Sequence, residues 1–181
     1  MELVLVHPEI PHNTGCAARL AAALGLPLHL VEPLGFKLED RYLKRAGLDY
    51  WPNVELCVHK DWEAARKAIA AGSARPIAER LRLFTARGGE SLFEASFLED
   101  DVLVFGSESA GLPPELLAEH EGGRVYIPIE PSVRSLNLAN VVCLAAYTAL
   151  DRAGVPMPDN DGGFEPHPEA GKISPRERVR E

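Results

Sequence analysis

The chain has 181 residues, 46% of them hydrophobic and 25% charged, with 15 glycines and 15 prolines. That is the length of one domain with enough apolar content for a substantial core, which excludes a globally disordered chain. Its net charge of −8 excludes nucleic-acid binding by bulk charge, so any polyanionic partner has to be gripped by local basic patches.

Short apolar runs alternate with helical stretches. Glu2–His7 reads as a buried strand and Pro8–Asn13 as a loop. The alanine-rich stretch Thr14–Leu24 reads as a helix closed by Gly25. Leu28–Val31 is a second strand, and a charged helix is predicted over Phe36–Ala46, ended by Gly47. After a third strand at Val54–His59, Asp61 is suited to cap a helix over Trp62–Ala71 that Gly72 stops. Leu81–Thr85 and Val102–Phe105 read as strands, Pro114–His120 as a short helix and Arg124–Ile129 as a sixth strand. Ser135–Ala153 is the longest predicted helix. Such alternation predicts an α/β fold, a mostly parallel six-stranded sheet with helices on both faces.

The pattern divides the chain into a domain over 1–154 and a tail over 155–181, which holds five prolines, three glycines and ten charged groups. Such a tail is expected to be extended and solvated, although Lys172, Arg176, Arg178 and Arg180 leave it an RNA-binding alternative. The apolar runs are too short to cross a bilayer, and neither a transmembrane helix nor a signal peptide is expected. Cys16, Cys57 and Cys143 are widely spaced and form no CxxC pair. They point to buried thiols in a reducing cytoplasm rather than to disulfides or zinc. Within this longest predicted helix, Leu136, Leu138, Val141, Val142, Leu144, Ala145, Ala146, Ala149 and Leu150 cover most of the circumference. One of its sides is therefore expected to face another subunit.

Parallel sheets bind ligands beyond the carboxyl ends of their strands. Three unusual loops leave such ends: Pro8–Gly15, leading to Arg19; Gly106–Pro113; and Glu130–Asn137. All are rich in backbone donors, hydroxyls and small residues. Taken singly, each has a plainer reading, with Asn13 or Thr14 and Ser135 as helix caps and Arg19 as a solvated arginine. No GxGxxG, GxxxxGK[ST], GxSxG or HExxH occurs, and the six histidines show no metal-ligand spacing. Dinucleotide binding, a hydrolase triad and a metal site are not indicated.

The ordered set NTGCAAR (Asn13–Arg19), FGSESAGLP (Phe105–Pro113) and IPIEPSVRSLNLANV (Ile127–Val141) resembles the three motifs of the SPOUT methyltransferases. With HPEIPHNTG at the start and RAGLDYW at Arg45–Trp51, it is most similar to the small tRNA (cytidine(34)-2'-O)-methyltransferases. The resemblance spans about residues 1–152. It implies a C-terminal trefoil knot, a homodimer, and S-adenosylmethionine held by Phe84, Gly106, Ile127 and Ser135 without any metal. It further implies tRNA, gripped at the anticodon region, as substrate. By the same resemblance Arg19 is the catalytic residue. A guanidinium stays protonated in proteins, so its expected part is to grip a phosphate and stabilise a developing alkoxide, not to act as base. Glu108 is expected either to orient Arg19 or to bind a polar group of the cofactor. Lys37, Arg41, Lys44 and Arg45 are the candidate RNA patch. The motifs leave two alternatives open: 2'-O-methylation of another tRNA position or of ribosomal RNA, and a knotted RNA-binding module without activity. Cys16, Ala110 and Ala139 depart from the residues common in that family, and the first two bear on RNA contacts.

Overall fold

Alternate residues of the first strand point into two different apolar layers. In β1 (Glu2–Val6), Leu3 and Leu5 join one buried cluster, while Val4 and Val6 join another. A strand buried on both faces belongs in the middle of a covered parallel sheet. The computed structural model places it there. It describes residues 1–38 and 50–160, residues 162, 163, 165 and 168, and the backbone of Val179 and Arg180.

From β1 the chain runs through α1 (Pro11–Leu24), β2 (Leu28–Val31), a 3-10 turn at Trp51–Asn53, and β3 (Leu56–His59). It continues through α2 (Trp62–Ala70), α3 (Ile77–Arg80), β4 (Leu81–Thr85), β5 (Glu90–Ser91) and β6 (Val102–Phe105). The last elements are α4 (Pro114–Glu119), a 3-10 turn at Glu121–Gly123, β7 (Arg124–Tyr126), α5 (Leu138–Arg152) and β8 (Val179–Arg180). The strands form one sheet in the order β5-β7-β4-β6-β1-β2-β3-β8. Every pairing between these strands is parallel.

The sheet is therefore larger than the six strands expected. Seven come from residues before 127, and Val179–Arg180 of the tail adds a two-residue eighth beside β3. Both additions, β5 and β8, are two residues long, too short to leave any alternation. The four-residue α3 was likewise unannounced.

The alanine-rich face of α1 (Ala17, Ala18, Ala21) and Val142, Ala145, Ala146, Ala149 and Leu150 of α5 cover one face of the sheet. Ala65 and Ile69 of α2 and Leu116 of α4 cover the other. Small side chains let α1 and α5 lie close together on the sheet. Gly25 ends α1 with φ 65°, as its position predicts, and the Asp61 carboxylate caps α2 by accepting from Ala64 N at 2.8 Å.

Two helix starts differ from expectation. α1 begins at Pro11 rather than Thr14, since proline is well suited to a first helical turn. Its cap residue is Ile10, so neither Asn13 nor Thr14 caps it. α5 begins at Leu138, not Ser135, because Asn137 accepts from Ala139 N and Asn140 N. Phe36–Leu38 are not helical, and the rest of the helix predicted over Phe36–Ala46, with Arg41, Lys44 and Arg45, lies outside the described residues. So do Lys172, Arg176, Arg178 and the side chain of Arg180. Among the described residues no helix is long and apolar enough to cross a membrane.

The amino-terminal edge of the sheet is closed by paired charges. Buried Arg80 donates to Glu2 and to the Asp100 carbonyl, and Asp101 takes hydrogen bonds from Arg75 and Arg82. The Arg75 hydrogen bond lowers the Asp100 carboxyl to about 2. Glu2 also accepts from His29, which bonds His59 in turn. These groups satisfy one another, which leaves the carboxyl edge as the place for ligand chemistry.

Candidate active site

β1 is followed by α1 and β2 on one side, whereas β6 is followed by α4 and β7 on the other. Adjacent strands whose connections diverge leave a crevice at their carboxyl ends. A cavity of about 530 Å³ opens there, of a size usual for a small-molecule site. Its lining comes from the ends of β4, β6 and β7 and from the three loops singled out in the sequence.

All four predicted cofactor residues line this one cavity. Phe84 is nearly buried and stacks on Phe105 with centroids 4.6 Å apart. Ile127 gives a second apolar wall. Ser135 is exposed, three residues before α5 begins, so it stands in an open loop and not at a helix start. Gly106 is confined by its own loop. Ser107 and Gly111 exchange backbone hydrogen bonds, and a Cβ on Gly106 would overlap the backbone of Gly111 and Leu112. Gly111 sits at φ +74°, a second reason for glycine in this turn. The turn itself requires Gly106, independently of any close approach by a ligand.

A polar network locks the three loops together. Glu108 accepts from Glu9 N at 2.8 Å, from Ile10 N at 3.2 Å and from Asn13 Nδ2 at 2.9 Å. Glu9 returns the contact, its carboxylate accepting from Ser109 N at 2.9 Å and Ser109 Oγ at 2.6 Å. Asn13, only 3% exposed, accepts at Oδ1 from Asn137 Nδ2 at 3.0 Å. The line Glu108–Asn13–Asn137 thus joins the second, first and third loops. Glu108, for which two other roles were expected, lines the cavity and fastens the first loop. The third loop has two further ties: Arg134 donates to the Ser109 carbonyl, and Arg87 donates to the carbonyls of Pro131 and Val133. Reading the sequence missed Asn137 and Arg87 as site residues. An amide in the first and third loops and a carboxylate in the second were the signal available for Asn137.

Arg19 is exposed on α1 and does not line the cavity. Asn13, six residues earlier on the same helix, does, which puts Arg19 about 9 Å further along the axis. Its guanidinium carbon lies 5.2 Å from the centroid of the Tyr50 ring. The structure therefore brings Phe84, Gly106, Ile127 and Ser135 together and leaves Arg19 outside the lining of their cavity. Lys37 is exposed. Among the described residues no group of His, Cys, Asp and Glu could hold a metal ion.

Residues 1–147 match the SpoU rRNA Methylase family. A tRNA (cytidine(34)-2'-O)-methyltransferase of Burkholderia cenocepacia is 46% identical over 153 residues, 84% of this chain and 95% of the relative. A structure solved for insight into the 2-OH methylation of C/U34 on tRNA is 51% identical, with a TM-score of 0.76, covering 84% of this chain and 95% of that one. The fold is also shared with the SpoU methyltransferase AviRb of Streptomyces viridochromogenes in complex with AdoMet. That structure is 23% identical with a TM-score of 0.73, covering 83% of this chain and 57% of that one.

Proposed function

The chain belongs to the SpoU methylase family, and on that premise we propose that it methylates the ribose 2'-hydroxyl of the wobble nucleotide, cytidine or uridine 34, of tRNA. The observation that carries this reading is the convergence of all three motif loops on one cavity that also collects Phe84, Gly106, Ile127 and Ser135. S-adenosylmethionine fits what is there: the apolar side chains of Phe84 and Ile127 suit an adenine ring, and the Ser135 hydroxyl and the loop backbone line the same cavity for its polar groups. When bound, that cofactor supplies a methyl group on a sulfonium, already activated for displacement.

The chain's own residues have two tasks. The interlocked loops hold the cavity in shape before the RNA arrives, so that alignment is settled in advance. Arg19 grips a phosphate next to the target ribose and stabilises the oxygen as its proton leaves to water or another group. A planar fork on an exposed helix face suits phosphate better than it suits a buried cofactor. In this reading the chain works as a homodimer, and α5 is threaded through the loops before it as a trefoil knot. The exposed apolar side chains Leu136, Leu144 and Tyr147 are the candidate dimer contact. Lys37, together with Arg41, Lys44 and Arg45, is the candidate tRNA patch on an otherwise acidic protein.

Single-turnover transfer of labelled methyl to bulk tRNA tests the proposal. The wild type is expected to label tRNA, and Arg19→Ala is expected to lose about 10²–10³ in rate while binding cofactor as before. Wild-type turnover in Arg19→Ala would remove Arg19 from the reaction, and lost cofactor binding would reassign it.

A further inference from the structure

An arginine side chain on an exposed helix face samples many rotamers, so a catalytic guanidinium needs something to hold it. Tyr50 supplies two holds at once. Its hydroxyl donates to the carbonyl of Gly15 at 2.9 Å, and its ring lies 5.2 Å from the Arg19 guanidinium carbon. Gly15 and Arg19 are four residues apart on α1, one turn, and so share a face of that helix. A single side chain therefore grasps one turn by its backbone and the next by its charge. Tyr50 is itself fixed. It is only 9% exposed, and Trp51 packs edge-on to it with centroids 5.8 Å apart at 84°. Neither Tyr50 nor Arg19 lines the cavity.

We propose that Tyr50 is a positioning residue for methyl transfer, a buried aromatic platform that holds the Arg19 guanidinium in place for the ribose–phosphate substrate without touching substrate or cofactor. The inference rests on the role assigned to Arg19 above. The attraction is that of a cation for the negative face of an aromatic ring, and it weakens as the ring loses electron density. The edge-on contact with Trp51 also feels that loss, but it does so whether or not Arg19 is present, which separates a platform from a simple core residue.

The experiment replaces Tyr50 by Phe and by phenylalanines carrying one to five fluorines, with Tyr50→Leu as the variant without a ring. Cofactor affinity is read by calorimetry and methyl transfer to tRNA by single-turnover rates, each also in an Arg19→Ala background. We expect a loss of about threefold for Tyr50→Phe, then a graded further loss to about tenfold across the fluorine series, at unchanged cofactor affinity. In Arg19→Ala the series should be flat. A flat series in the wild-type background would overturn the platform even with Arg19→Ala inactive. An equal decline in both backgrounds, or a parallel fall in cofactor affinity, would do so too. Full activity in Arg19→Ala would overturn the role of Arg19 and the platform with it. If Tyr50→Leu does not fold, the fluorinated rings, which keep their shape, decide the matter.

Discussion

At the scale of single residues, Gly106 separates two explanations that the sequence leaves merged. Glycine beside a ligand and glycine beside its own backbone look alike in a motif. Here a Cβ would overlap Gly111 and Leu112 before any ligand is present. Gly106→Ala is therefore expected to distort the whole loop. Glu108 and Ser109, which pin the first loop, would move with it. Calorimetry should find cofactor affinity reduced by well over tenfold, whereas Ser135→Ala, at an exposed position, should lose about one hydrogen bond and under tenfold. An affinity for Gly106→Ala within twofold of wild type would contradict this. That Phe84, Gly106, Ile127 and Ser135 come together was legible because motif order survives in one dimension. Tyr50 and Arg87 were not, because their partners lie 35 and 44 to 46 residues away and neither contact leaves a local spacing.

Among the elements, the start of α5 links stability to the site. The side-chain oxygen of Asn137 caps the helix, and its amide nitrogen donates to Asn13. Two substitutions divide these roles. Asn137→Ala removes both and is expected to cost about 1 kcal/mol of stability, a fall of a few degrees in Tm for a chain of this length. Asn137→Asp keeps an acceptor for the cap, with a charge suited to a helix N-terminus, but has no donor for Asn13. It should melt near the wild type yet bind cofactor several-fold more weakly. Wild-type affinity in Asn137→Asp would show that the tie to Asn13 does not shape the cavity. All six expected strands are present because each is a run of apolar residues bounded by turn residues. What escaped were two-residue strands, a single-turn helix, and helix starts. Pro11-His12-Asn13 reads as loop by composition, yet suits a first helical turn.

For the whole molecule, covering a sheet on both faces leaves α5 with one buried stripe and one outer face. Leu138, Val142, Ala145, Ala146, Ala149 and Leu150 are buried in the chain itself, whereas Leu144 and Tyr147 are exposed. A central helix wholly inside the monomer would leave no such face. Such an outer face is where the dimer proposed above would make its contact. Sedimentation should therefore give about twice the 19.7 kDa of the chain, and a fully active monomer at micromolar concentration would remove the dimer. Nothing in composition or periodicity could reveal a knot, since threading depends on the order in which distant segments pass one another. The acidic balance likewise gives no direct sign of an RNA partner. What the sequence did carry was the ordered motif set, and its target is one atom of one nucleotide. The decisive measurement is to incubate the purified protein with tRNA and methyl-labelled S-adenosylmethionine, digest the RNA and locate the label. A 2'-O-methyl group on nucleotide 34 is the expected result. Label on a base, on another tRNA nucleotide or only on ribosomal RNA, or no label at all, would contradict it.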